Sequence, residues 1–560
     1  MSESALPIAV LLVVIRSANA YLSSTFFQPD EFFQALEPAW QLAFGSGSGA
    51  WITWEWREQL RSAIHPVLFA GTYKAADTVA GWLSLSLAAR AEVLLAAPKL
   101  IQVPIAAAID FYTWRLSLVC TGDARVSWAA LLLSIWSPWQ WYVSTRTFSN
   151  TLEAMLTVLA LAWWPWQWTV GGSEKTPATK ASLTAALAAA AFACVLRPTN
   201  AIIWIAILAT SAYRYGIHKK ASDLAGQALL AGSAVLVLSV SIDRAFYNSW
   251  TIPQLQFLYM NVGQSISTFY GRNRTDYYFT EGIPLLLTTA LPFGAIGFWK
   301  ALRPGVDRPD LAGYQRRQTQ FVLAMAVVVT VLTFSSISHK EVRFIYPILP
   351  ILHVFAAQPI ASFFKLFPIE KHKFRVALLS LVLTINLYIM AYTSLIHQRG
   401  VMDVTHFLRH EAETAGGIRN ITVGFLMPCH STPWRSHFVH PRINAWAFTC
   451  EPPLGVPVQW RDEYQDEADV FYNYPAGWID RYLDDRSIIL KHEPKSNTAS
   501  QEQRRPWPDY LIYFEHLEPV MNAVLDSTRY EEHVRFFNTH WHDDNRRRGD
   551  VIVQKLNPRS

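Results

Sequence analysis

The chain runs to 560 residues, of which 51% are hydrophobic and only 16% charged, well under the roughly 25% of an ordinary soluble domain. A formal net charge of +5 in short scattered clusters excludes the coherent basic face of a nucleic-acid-binding protein, and four cysteines are too few for a disulfide-held scaffold. With 23 tryptophans, a residue that gathers at bilayer interfaces, the composition indicates an all-α polytopic membrane protein.

Windows of about 20 mainly apolar residues, the length needed to span, fall near 6–23, 62–83, 91–118, 126–144, 149–169, 180–196, 198–215, 224–243, 283–300, 319–337, 344–362 and 374–396. The first ends in Ala18-Asn19-Ala20, which resembles a signal-peptidase site, but it carries Glu3 and no basic residue ahead of its apolar stretch. It is therefore read as an uncleaved first span. Three basic loops mark the cytoplasmic side by the excess of lysine and arginine there. They carry Arg214, Lys219 and Lys220; Lys300, Arg303, Arg308, Arg316 and Arg317; and Lys365, Lys371, Lys373 and Arg375. A loop at 24–61, a loop at 246–282, the turn at 338–343 and residues 400–560 then share the other side, the lumen of the endoplasmic reticulum in a eukaryote. Parity conflicts with all twelve windows, so about 11 spans are expected, with 91–118 and 180–215 the doubtful segments. Residues 1–399 read as the transmembrane domain. From 400 the apolar runs shorten and His, Asp, Arg, Pro and Tyr rise, which indicates a mixed α/β water-facing domain of ordinary size. The sequons at Asn273 and Asn420 fall on the same side as that domain and are expected glycosylation sites.

In the first of these loops, SSTFFQPDEFFQALEPAWQ reads as a helix beginning at Pro29, with Asp30 and Glu31 in its first turn. Phe32, Phe33, Leu36 and Trp40 make one face and Asp30, Gln34, Glu37 and Gln41 the other, the pattern of a helix lying in the interface plane. The paired acids suit a cap, a cation site or a catalytic base, and spacing does not choose among them. Further on, TWEWREQLRS interleaves Trp54, Glu55, Trp56, Arg57 and Arg61, a pattern suited to stacking and hydrogen-bonding sugar rings, although interfacial anchoring explains the tryptophans equally well.

Ionisable groups at membrane depth are expensive and mark function. STRTFSNTLE places Arg146, Asn150 and Glu153 beside an apolar span, and RPTNA does the same with Arg197. The sharpest group is SHKEVRFIYPILP, where His339, Lys340, Glu341 and Arg343 are wedged between two spans. Its cations suit a lipid phosphate, Arg343 as a fork and Lys340 as a point charge; an ion-pair network among Lys340, Glu341 and Arg343 is the alternative. The 246–282 loop, with Arg272, Arg274, Tyr277 and Tyr278, reads as a lid. In the tail, Cys429, His430, His437, His440 and Cys450 match no closed zinc module, and a Cys429–Cys450 disulfide is expected in an oxidising lumen. No nucleotide-binding motif is present in the sequence, so the donor of any transferase here would be carried by a lipid.

Taken in order, PDEFFQALEPAW, TWEWREQLRS, STRTFSNTLE, RPTNA, SHKEVRFIYPILP, LIHQRGVMDV and MPCHSTPW resemble the polytopic mannosyltransferases of glycosyltransferase family 22, from about residue 20 to at least 540. TWEWREQLRS and MPCHSTP are most similar to the branch that adds the third mannose to glycosylphosphatidylinositol (GPI). The resemblance implies a GT-C fold and an inverting α-1,2 transfer from dolichyl phosphate mannose to a mannosylated GPI precursor at the endoplasmic reticulum membrane. It implies Asp30 as general base with Glu31 beside it, and His339, Lys340 and Arg343, joined by Arg146, around the donor phosphate. Trp54, Glu55, Arg61, Asn150, Arg272 and Tyr278 are the expected substrate contacts, and neither cofactor nor metal is expected. One departure weakens Arg272, Tyr277 and Tyr278: this chain has GRNRTDYYF where relatives carry PWHWY. The alternatives are a family 22 enzyme acting on the dolichol-linked N-glycan precursor or on the fourth GPI mannose, and then a transporter, which would show internal repeats.

Overall fold

Apolar segments fold as helices because helical bonding satisfies every backbone group where water is absent. The computed structural model describes residues 5–170, 180–216, 221–303, 310–364, 372–414, 417–490 and 504–558. Among these, seven helices are long and apolar enough to cross a membrane: Ala5–Leu22, Leu87–Thr121, Asp223–Tyr247, Tyr278–Ala301, Leu311–Ser336, Val342–Phe363 and Lys373–Ala412. Ala124–Ile135 and Ser182–Leu196 are shorter apolar helices, and the windows at 62–83, 149–169 and 198–215 form Ile64–Trp82, Ser149–Trp163 and Ala201–Tyr215. The doubtful window at 91–118 resolves into two helices, Leu87–Ala96 and Lys99–Thr121, meeting at Ala97-Pro98. Lys219, Lys220, Arg308, Lys365 and Lys371, which counted toward orientation, lie outside the described residues.

The chain forms two compact units. The first comprises Met1–Ser23, Glu55–Leu68 and Lys99–Ala391 and is helical. Close helix packing there depends on a small residue: a methyl group on Gly297 would collide with the Phe355 carbonyl. The first helix is packed into this unit by Ile8 and Leu12 against Trp114 and Leu131. A fully buried ion pair holds it as well. Arg16 donates from Nε to Asp110 Oδ2 at 2.7 Å and from Nη2 to Asp110 Oδ1 at 2.8 Å. Ser134 Oγ donates to the same carboxylate at 2.6 Å, and Arg16 also donates to Asn19 Oδ1 at 3.1 Å and Ser134 O at 3.2 Å. A buried charge pair survives only when its remaining hydrogen-bonding capacity is used in this way.

The second unit comprises Ser24–Trp54, Phe69–Pro98 and Tyr392–Ser560. It contains a short hairpin of β1 (Glu413–Thr414) and β2 (Gly417–Ile418), and a five-stranded mixed sheet. The sheet strands are β3 (Ile421–Phe425), β4 (Ile443–Ala447), β5 (Tyr510–Phe514), β6 (Tyr530–Thr539) and β7 (Gly549–Leu556), in the order β4-β3-β5-β7-β6. Strand β3 runs parallel to β4 and β5, with Val423 opposite Ala445 and Gly424 opposite Leu511, while β7 is antiparallel to β5 and β6. Every residue of β5 is buried, as expected of a central strand covered on both faces. Its Leu511 and Tyr513 pack with Phe448, Phe471, Trp478 and Met521 in one core.

Candidate functional site

The charged turn between Ser336 and Val342 is built around one carboxylate. Glu341 Oε2 accepts from Arg343 Nε at 2.6 Å, and Oε1 accepts from Arg343 Nη2 at 2.7 Å, a two-pronged grip. His339 Nε2 meets Glu341 Oε1 at 3.2 Å and its Nδ1 meets Gly271 O at 3.0 Å. Both neighbours are acceptors, so the surroundings favour the doubly protonated ring, which donates from both nitrogens. Burial pulls the His339 pKa down, but the hydrogen bond and charge of Glu341 outweigh it and hold the value above the ordinary histidine one. Burial opposes ionisation of Glu341 too, and Arg343 and His339 together draw its pKa well below normal. Arg343 and His339 flank this one anion and Lys340 adds a cation to the same turn, so the turn keeps a positive excess.

Lys340 is 2% exposed, and its Nζ donates to Asn273 O at 3.2 Å. Asn150, expected among the substrate contacts, donates from Nδ2 to Arg343 O at 3.2 Å and to Glu153 Oε2 at 3.3 Å. Glu153 Oε1 accepts from Asn200 Nδ2 at 3.0 Å, and Arg197 Nε lies 3.7 Å from Oε2. Arg197 and Arg343 both sit over the Phe344 ring, at 5.5 and 5.8 Å from its centroid. Tyr278, fully buried, donates from its hydroxyl to Glu341 O at 3.2 Å. His339, Lys340, Glu341, Arg343, Asn150, Glu153, Arg197, Asn273 and Tyr278 are thus one connected constellation. Arg146 is buried in the turn that follows the Pro138–Val143 helix, donating to Tyr142 O at 2.8 Å with its guanidinium 4.7 Å from the Tyr142 ring. Arg272 is exposed.

Of the TWEWREQLRS residues, Arg61 pairs with Glu55 at 2.7 Å and lies over Phe257 at 5.5 Å. Together with Arg197, Pro198 and Gln254 it lines a narrow cleft. Trp56 is 2% exposed and packs on Phe246, 5.3 Å away, and Trp54 is 6% exposed, so both indoles lie in the protein interior.

The paired acids of the first loop belong to the second unit. Backbone N–H groups of Phe32 and Phe33 both donate to Pro29 O at 2.9 Å, and a π-helical turn over Phe32–Leu36 follows. That shared acceptor and widened turn separate the two carboxylates. Asp30 is half-buried, whereas Glu31 is buried at 9% exposure. Glu37 departs from the amphipathic pattern, which put it on a polar face. It is fully buried, accepting from Trp51 N at 2.9 Å and from Ser436 N at 2.8 Å. Burial raises its pKa, and the two backbone donors and Arg435 oppose that rise. The MPCHSTPW segment adds His430, whose ring lies 4.4 Å from Phe33 and 4.9 Å from Trp51. Burial and then Arg547 draw the His430 pKa down to about 4, against the charge of Asp30. Cys429 and Cys450 are disulfide-bonded with Cα atoms 5.9 Å apart, so neither thiolate is offered to a metal beside His430. Asn420 is exposed.

A family model for the Alg9-like mannosyltransferases matches residues 8–439. The chain belongs to that family. It is 45% identical to GPI mannosyltransferase 3 of Aspergillus fumigatus, over 98% of this chain and 77% of that protein. It is 33% identical to GPI alpha-1,2-mannosyltransferase 3 of Mus musculus, over 97% and 88%. Among solved structures, ArnT from Cupriavidus metallidurans bound to undecaprenyl phosphate superposes with a TM-score of 0.55 at 10% identity, covering 98% of this chain and 97% of that one. The chain therefore has the GT-C fold expected from its sequence.

For this mannosyltransferase the imidazolium reading of His339 has a pH signature. A group whose native pKa is raised stabilises fully below its unfolded value, about 6.5 for histidine, and loses that contribution as pH rises through the native value. The His339 contribution to thermal stability is expected to fall as pH rises above about 6.5, so the difference between wild type and His339→Gln is expected to shrink over that range. Identical pH profiles for the two proteins would refute the charged ring.

Sequence reasoning did not find Asn200, Glu37 or the Arg16–Asp110 pair. Asn273 was visible only as a sequon.

Proposed function

We propose that the protein transfers the third mannose, in α-1,2 linkage, from dolichyl phosphate mannose to the GPI precursor on the lumenal side of the endoplasmic reticulum membrane. The observation that carries this reading is the likeness to GPI mannosyltransferase 3 along 98% of the chain. The donor is β-linked and the product α-linked, so a single displacement inverts the anomeric carbon. The acceptor hydroxyl oxygen forms the new bond as the bond from the anomeric carbon to the phosphate oxygen breaks, and that electron pair departs with dolichyl phosphate. The hydroxyl proton passes to Asp30, acting as general base, with Glu31 as the neighbouring acid. A phosphate leaving group needs no proton, only cations to hold its charge. Lys340 and the positive excess of the His339–Glu341–Arg343 cluster supply them.

Arg343 acts in this reading mainly through the Glu341 carboxylate it grips, and Lys340 acts directly. Arg146, Arg61, Asn150 and Tyr278 shape the surroundings. Cells lacking the chain are expected to accumulate a GPI lipid bearing two mannoses, which lipid extraction and mass spectrometry would reveal. Accumulation of a truncated N-glycan precursor instead would move the enzyme to another branch of its family.

A further inference from the structure

We infer that Asn273, although it heads the sequon Asn273-Arg274-Thr275, acts as the positioning residue that presents Lys340 to the donor phosphate, and does so through its own amide and backbone and not through a glycan. The inference rests on the reading of Lys340 as a phosphate ligand. Three hydrogen bonds tie Asn273 to a segment 67 residues away. Its backbone N–H donates to Ser338 O at 2.9 Å, its side-chain Oδ1 accepts from Lys340 N at 2.9 Å, and its backbone carbonyl accepts from Lys340 Nζ at 3.2 Å. The flanking residues reinforce the clasp: Gly271 O accepts from His339, and Tyr278 donates to Glu341 O.

Each of the three bonds has its own consequence for Lys340. The bond to Ser338 O fixes where the turn leaves the end of the Leu311–Ser336 helix. The bond from Lys340 N to Oδ1 satisfies a backbone donor that burial would otherwise leave costly. The bond from Nζ to the carbonyl aims the ammonium. An ammonium has three donors, and among the described residues Nζ makes one hydrogen bond, so two remain for phosphate oxygens. Lys340 is a long, flexible side chain whose immobilisation costs rotamer entropy. A clasp that holds it at 2% exposure meets that cost in the folded protein, before substrate arrives.

An alanine at 273 keeps the two backbone bonds but leaves Lys340 N unsatisfied, whereas aspartate keeps an acceptor oxygen at the same distance. Alanine at Thr275, an exposed residue, abolishes the sequon without touching the clasp. The test is steady-state kinetics with dolichyl phosphate mannose on purified protein, for N273A, N273D, T275A and K340A. N273A is expected to raise KM for the donor about 10-fold or more, the effect of orphaning a buried donor, with a smaller change in kcat. N273D is expected to restore most of the loss, and T275A to match wild type in kinetics. K340A is expected to raise donor KM at least as far as N273A. If T275A behaves as N273A does, a glycan carries the effect and the inference falls. It also falls if N273D is as impaired as N273A, or if N273A is normal while K340A is not. A normal donor KM in K340A would instead remove the phosphate reading itself, and with it the proposed role of Asn273. Should N273A fold poorly, the comparison of N273D with T275A decides alone.

Discussion

Asp30→Asn is expected to lower transfer by about 10²–10⁴-fold, the usual contribution of a general base, while donor binding and folding persist. Asparagine matches the carboxylate in size and keeps one acceptor oxygen, but its amide takes up no proton at working pH. The substitution also removes a charge that acts on His430. Burial draws the pKa of that ring down to about 4, so it is neutral near pH 7 with or without Asp30, and a change in its charge would not account for the loss of activity. The measurement is turnover on a two-mannose GPI lipid with dolichyl phosphate mannose at saturation, with donor KM as control. Near-normal turnover would discard Asp30 as base and pass the role to Glu31. Glu55 is the weaker substitute, because Arg61 holds it at 2.7 Å.

The second large effect lies away from the chemistry. Asp110→Ala leaves the Arg16 guanidinium buried and uncompensated, and removing one partner of a buried pair costs about 3–5 kcal/mol. Ser134 Oγ, which donates to Asp110 at 2.6 Å, loses its acceptor in the same step. Replacing both charges with apolar residues, as in R16M/D110L, is expected to recover most of the stability, since such exchanges are often neutral or favourable. Unfolding of the purified variants in detergent gives the comparison. A double variant as unstable as the sum of the singles would mean that the network around the pair, and not the opposed charges, carries the stability.

Sequence patterns found the elements far better than the contacts between them. The spans were legible because a bilayer demands about 20 apolar residues each time, and the 338–343 turn stood out because charges wedged against apolar runs are costly. The grip of Arg343 on Glu341, two residues away, was the alternative that local spacing allowed. Longer-range pairings leave no such trace. Ser436 donates to Glu37 from 399 residues away, and helical periodicity alone put that acid on a polar face. The hydrogen bonds between Asn273 and Lys340 left no trace because a sequon is a string of three residues and carries no information about a partner 67 residues on. Trp54 and Trp56, whose pattern suits sugar stacking and interfacial anchoring equally, are both buried, and Trp56 packs on Phe246, a partner that their spacing could not reveal. For the acids of the first loop, adjacency in sequence hid the difference between a half-buried Asp30 and a buried Glu31, which follows from the backbone turn after Pro29.

Arg16 and Asp110 are 94 residues apart, and that spacing has a temporal meaning while the chain is being made. At about 5–20 residues per second, synthesis delivers the first helix on the order of 5–20 s before its counter-charge. Throughout that interval the arginine has no anion, and a cation in hydrocarbon reaches for the headgroup region or for water. Burial of the Arg16 guanidinium is therefore compensated only once the Lys99–Thr121 helix has been made, because Asp110 lies on that helix and not on the first.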